Sequence, residues 1–164
     1  MFEDEEDEEN RNLNPEKLPI FRKGREIFEI TSKIADLISD ESSEELKSYK
    51  QFLVTDAALL TVKVAGAEGG GLYDIKMEAA AFIRKAAKDL LLHCTGLEMF
   101  GFKEIHYLDL IRNSVEEYRL LFIDWVNSFD RWNYVIDRWG LFNPPGVGPF
   151  DKDPDEDIPG DIEF

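Results

Sequence analysis

Cysteine, histidine and long apolar runs are nearly missing from this 164-residue chain. A single cysteine, Cys94, excludes a disulfide within the chain and suits a reducing compartment. The two histidines, His93 and His106, leave little room for a metal centre. A carboxylate metal bundle needs Glu-x-x-His pairs, and neither histidine follows a glutamate at that spacing. Glu104 stands two residues before His106 and so points elsewhere on a helix. Both histidines read as surface or turn residues. Cys94 adjoins His93, but neighbouring side chains on a helix diverge by about 100°. Cys94 therefore reads as a small core residue and not as an activated thiol. With no catalytic set, metal ligands or cofactor motif, the expectation is a non-enzymatic protein without a cofactor. The longest apolar-leaning stretch, "AALLTVKVAGA", is broken by Lys63 and is shorter than the ~20 residues of a membrane span. The opening "MFEDEEDEEN" is the reverse of a basic, then apolar, signal peptide. A cytoplasmic location, away from the membrane, is expected.

Bases are scarce as well, and the net charge is -16. Residues 1–17 carry eight acids and two bases, and residues 143–164 seven acids and one base. Most of the excess therefore lies in two terminal segments around a nearly balanced centre. The run "EDEEDEE" repels itself and has little to bury, and the last segment is rich in Pro, Gly and Asp. Both are expected to be disordered tails.

Between the tails the apolar spacing predicts an all-α, antiparallel up-down-up-down four-helix bundle over 18–142, with helices at about 19–39, 44–68, 72–95 and 103–140. Pro19 suits a first turn, and Ser42 or Ser43 can cap the second helix. Ile20, Ile27 and Ile34 mark the first helix. Leu53, Ala57, Leu60 and Val64 mark the second. Phe52, Leu59 and Val62 lie off that stripe and give the second helix another apolar face, suited to a neighbouring subunit. In the third helix Ile75, Ala79, Phe82, Ile83, Ala86 and Leu90 form the stripe, and Gly96 and Gly101 are expected to end it. From Leu108 through Val115, Phe122, Trp125, Phe129, Trp132 and Ile136 to Trp139, spacings of three and four predict one long helix ending before Asn143-Pro144-Pro145. Trp132, Trp139 and Phe142 lie near or beyond the expected end of the bundle. They either meet another chain or fold back onto this one.

The corner Gly66-Ala67-Glu68-Gly69-Gly70-Gly71 has neither the preceding strand nor the closing Gly-Lys-Ser/Thr of a phosphate loop. It reads as a hinge, with Gly69 or Gly70 in a left-handed cap and Gly71 releasing the chain. Glu68 is the misfit, because a helix C-terminus disfavours a negative charge. It should have a partner: the loop amides, or a nearby base such as Lys63. Two basic clusters, Arg22-Lys23-Arg25 and Arg84-Lys85-Lys88, read as solvated faces with ion pairs. If they converge, they could hold nucleic-acid phosphates.

The segments "LPIFRKGREIFEIT", "VAGAEGGG", "KMEAAAFIRKAAKDL" and "YLDLIRNSVEEYRLLFIDWV" resemble the helix and turn patterns of a bacterial four-helix bundle family. That family comprises proteins of rRNA intervening sequences and the accessory variability determinant of diversity-generating retroelements. The resemblance spans about 18–130. It implies a four-helix bundle and a ring-like homo-oligomer, a pentamer. In the retroelement branch it implies partnership with a reverse transcriptase and nucleic acid. The residues favour a homo-oligomeric assembly or adaptor module. The alternative is a nucleic-acid-binding or reverse-transcriptase accessory protein that uses the two basic clusters.

Overall fold

Pro19 occupies the first turn of its helix, and the Ser43 hydroxyl caps the next by accepting the Leu46 N–H at 3.3 Å. From these starts the chain forms α1 (Pro19–Ala35), α2 (Glu44–Glu68), α3 (Tyr73–Met99) and α4 (Ile105–Asn127). A 3-10 turn, Pro15–Lys17, precedes them. The computed structural model describes residues 14–153, and among them there is no strand. The described residues are all-α, with four α-helices.

Each helix packs beside its neighbour in sequence, and α4 returns against α1. This is the neighbour order that an up-down-up-down bundle requires. The core is built from the expected stripes: Ile27, Leu53, Leu60, Ile83, Leu90 and Ile111 are fully buried. One point in it is unusually close. A Cβ on Gly24 would stand 2.9 Å from the Leu60 carbonyl oxygen, so α1 can approach α2 here only as glycine. The same carbonyl accepts the Tyr118 hydroxyl from α4 at 2.8 Å. One backbone atom of α2 thus meets both the adjacent α1 and the diagonally opposite α4. Burial pushes the Tyr118 phenol well above its ordinary pKa, so it stays a donor.

The Thr31 hydroxyl is buried and has no hydrogen-bond partner among the described residues. An unpaired buried hydroxyl costs free energy that a methyl of similar size does not. Thr31→Val is expected to raise stability by about 1 kcal/mol, read as a higher urea midpoint at unchanged slope. A lower midpoint would show that the hydroxyl is satisfied.

Three helix ends differ from expectation. α1 stops at Ala35 instead of about 39, although Ile38 still enters the core. α3 continues through Gly96 to Met99, because Gly96 is a packing glycine with the Tyr49 ring lying where a Cβ would be. The turn glycine is Gly101, with φ 95°. The largest difference is in α4, which ends at Asn127 and not near 140. The Ser128 hydroxyl donates to the Trp125 carbonyl at 2.5 Å, and the Asp130 carboxylate accepts the Trp132 N–H at 2.9 Å. Short polar side chains that bond nearby backbone compete with the helix and end it. Phe129 and Ile136 are buried even so, but from the irregular chain that follows the helix.

The expected tails fall partly outside the description: 1–13 and 154–164 are not among the described residues. Their inner ends are ordered by specific contacts. Asn14 caps the 3-10 turn by accepting the Glu16 N–H. Arg138 Nη1 donates to the carbonyls of Pro149 and Asp151, at 3.2 and 2.7 Å. No described helix is long and apolar enough to cross a membrane.

Candidate interaction surface

The segment after α4 is where the structure departs most from a plain bundle, and it is built around two carboxylates. Glu68 ends α2. Its Oε1 accepts the indole N–H of Trp125 at 2.8 Å and lies 3.5 Å from Lys76 Nζ. The Glu68 side chain is only 12% exposed. Its partner is therefore not Lys63, whose ammonium lies over the Phe82 ring, and the loop amides do not bind it. Lys76 is in the first turn of α3, where a helix dipole disfavours a cation. Each charge is misplaced on its own helix and well placed against the end of its neighbour. Lys76 also sits over the Phe129 ring, which meets the Trp125 ring in a T-shaped contact at 4.8 Å between centroids. The Tyr73 N–H donates to the Asn133 carbonyl at 2.8 Å, joining the start of α3 to the same segment.

The glycine corner serves this junction. Gly69 caps α2 in a right-handed conformation (φ -71°), and Gly70 is not left-handed either, contrary to the expected cap. Gly71 faces the Asn133 amide, 2.5 Å from where a Cβ would be. Gly66 faces open space.

The second carboxylate is Asp137. It accepts the N–H groups of Phe142 and Leu141, each at 2.8 Å, and of Trp139 at 3.0 Å. Asn143 closes the ring, accepting the Asp137 N–H at 2.7 Å and donating to its carbonyl at 2.9 Å. The backbone donors, Phe142 foremost, hold the Asp137 carboxyl below the ordinary aspartate range. This turn fixes the backbone under Trp139, whose side chain is 96% exposed, with Trp132 at 91%. Leu141 and Phe150, on the same segment, are exposed too, and Phe142 is half-buried. Asp137→Ala is expected to speed amide exchange at Trp139, Leu141 and Phe142 severalfold and leave the core amides unchanged. Because the folded carboxyl titrates below its unfolded value, its contribution is complete above about pH 3.9. It is lost as pH falls through the lower folded value. Wild-type exchange, corrected for its intrinsic pH dependence, should therefore show no loss of protection from pH 7 to 5 and loss only in stronger acid.

A second apolar surface runs along the outside of α2 and α3. Phe52 and Val62 are exposed, as expected for a spare face of α2, whereas Leu59 packs partly on the core. Ile75 and Phe82 are also exposed, about half each, and are not the core residues of α3 that the spacing predicted. At one end of this surface His93 is not an ordinary surface residue. Its Nδ1 lies 2.5 Å from Asp56 Oδ2, with the Phe52 and Tyr49 rings around it. Burial holds the Asp56 carboxyl above its ordinary range, although the His93 hydrogen bond pulls it down. His106 is exposed. Cys94 is buried in the core, and burial pushes its thiol up to about 12.

The two basic clusters do not converge. Lys23 pairs with Glu26 at 3.0 Å and with Glu117, and Arg25 with Glu16 at 3.6 Å. Arg22 lies beside them along the α1–α4 side. On α3, Lys85 pairs with Asp89, while Arg84 and Lys88 line a groove between α3 and α4. The clusters thus flank α4 on different sides. No protein family, curated protein or solved structure matches the chain, so the chemistry of these surfaces is read from their own residues.

Proposed function

We propose that the protein is a non-enzymatic assembly or adaptor module that joins copies of itself, as in the pentameric rings of the family it resembles, and offers Trp132 and Trp139 to another chain. The observation that carries this is the pair of nearly fully exposed tryptophans, one of them on a turn held by three backbone hydrogen bonds. Exposed tryptophan at this density is what protein interfaces use as anchors. A turn that is already ordered loses little entropy on binding. The outer α2–α3 surface, with Phe52, Val62 and Phe82, supports a subunit contact. Light scattering over a dilution series tests the assembly. A mass several times 18.9 kDa that falls on dilution is expected, and a monomer at every concentration would remove the reading.

The nucleic-acid or reverse-transcriptase accessory reading has one observation in its favour. Arg84 and Lys88 have no ion pair among the described residues. Titration of single-stranded RNA at low and moderate salt tests it, since phosphate contacts weaken steeply as salt rises.

A further inference from the structure

α3 and α4 approach each other less than the other neighbouring helix pairs do, which leaves a groove of about 480 Å³ open along the bundle. It runs from Ile83 to Leu91 on α3 and from Arg112 to Ile123 on α4, or ~12 to ~17 Å at helical rise. Its floor is apolar, with Ala87 and Leu91 on one side and Val115 and Phe122 on the other. Its rim inverts the charge of the chain. In a protein of net charge -16, the groove is lined by four bases, Arg84, Lys88, Arg112 and Arg119, and by one acid, Glu116. Arg112 is taken by Glu98 and Asp109, and Arg119 by Glu116. Arg84 and Lys88 are exposed, one helical turn apart, and have no ion pair among the described residues.

We infer that this groove receives an amphipathic helix of a partner protein, with its apolar stripe on the floor and acids along one flank on Arg84 and Lys88. The length fits, because ~12 to ~17 Å is two to three helical turns. An apolar stripe repeating every three and four residues lies along a groove of that kind. The openness fits as well. A site for a small amphiphile encloses most of its ligand, whereas a docked helix keeps its outer face in water. The charge pattern is specific. The two free bases stand four residues apart on the α3 rim, so the matching acids stand one turn apart on the facing flank. Arg112 and Arg119 are already neutralised, so the α4 rim asks for no second row of acids. The apolar floor disfavours nucleic acid, since Ala87, Leu91 and Val115 offer phosphates nothing. Two free bases also fall short of the row of contacts that carries backbone binding. Repulsion of an acidic partner by the rest of the chain is limited. At 0.1 M salt the screening length is ~10 Å, so the bases at the rim outweigh distant acids. The groove shares no residue with the α2–α3 surface or the tryptophan segment, so the inference does not depend on self-association.

The test is a titration of the full chain, read by amide NMR, with two capped helical peptides of about 14 residues, long enough to span the groove. One carries leucine at helical spacing and glutamate along one flank; the other has lysine in place of each glutamate. The glutamate peptide should give saturable shifts at Ala87, Leu91, Val115 and Ile123, and none around Phe52. The lysine peptide should bind about tenfold more weakly, as two exposed charge pairs allow. Arg84→Glu with Lys88→Glu should reverse that order and leave the melting temperature unchanged, since both side chains are exposed and unpaired. Equal affinity for the two peptides, an order that does not reverse, or no saturable shift in the groove would overturn the inference. So would single-stranded RNA moving the same amides at lower concentration, which would make the groove a phosphate site. Groove shifts that grow with protein concentration alone would place a second copy there instead.

Discussion

Replacing Trp132 and Trp139 together by alanine is expected to weaken self-association about 30-fold or more and leave the melting temperature of the fold unchanged. The first number follows from what buried tryptophan anchors contribute at interfaces, about 2 kcal/mol or more when truncated, with each 1.4 kcal/mol worth tenfold in Kd. The second follows from their surroundings. At 91% and 96% exposure neither indole has intramolecular packing to lose. The bonds that hold the turn come from the Asp137 carboxylate and backbone N–H groups, which the substitution leaves in place. Exposed substitutions of this kind stay within about 0.5 kcal/mol of folding stability. Sedimentation velocity read beside a thermal melt separates the two effects. Unchanged association would exclude the aromatic segment as the contact and leave the Phe52–Phe82 surface to account for any oligomer. The matching double variant there, Phe52→Ser with Val62→Ser, completes the comparison.

The bundle itself was legible because its core repeats at helical spacing. Ile20, Ile27 and Ile34, and Leu53, Leu60 and Val64, are buried as their spacing requires. Pro19 and Ser43 mark starts for local reasons that a sequence displays. α3 was less legible. Its alanines make several faces weakly apolar, so Ile75 and Phe82 could be assigned inward when they lie outward. α4 misled for a different reason. Phe129, Trp132, Ile136 and Trp139 continue the spacing of three and four, but Ser128 and Asp130 capture the backbone first. The cluster Asn127, Ser128, Asp130 and Asn133 was the available signal against a helix. Asp137 could not have been singled out, because what distinguishes it is three backbone donors brought together by a turn.

Glu68→Ala is expected to destabilise the fold by about 2–3 kcal/mol, the range for a lost hydrogen bond to a charged group. For a chain of this size that lowers the melting temperature by roughly 4–12 °C. The misfit of an acid at a helix C-terminus was visible in the sequence; its resolution lies across the loop and 57 residues away, at Lys76 and Trp125. Removing the carboxylate leaves the indole N–H of Trp125, 6% exposed, without its acceptor and Lys76 without its counter-charge. Glu68→Gln keeps an acceptor oxygen and removes only the charge, so it should cost about 1 kcal/mol or less. Trp125→Phe removes the donor and some packing. In combination with Glu68→Ala it should show a coupling energy of about 1 kcal/mol, because the two groups share one bond. Local consequences should follow the same geometry. The Tyr73 N–H, bound to Asn133 on the segment that Trp125 and Phe129 anchor, should exchange faster in Glu68→Ala. If Glu68→Ala instead melts like wild type and only association falls, Glu68 faces a partner and the junction is held by Phe129 packing alone. A carboxylate 12% exposed, with its acceptor oxygen already shared by an indole and an ammonium, argues for the internal role.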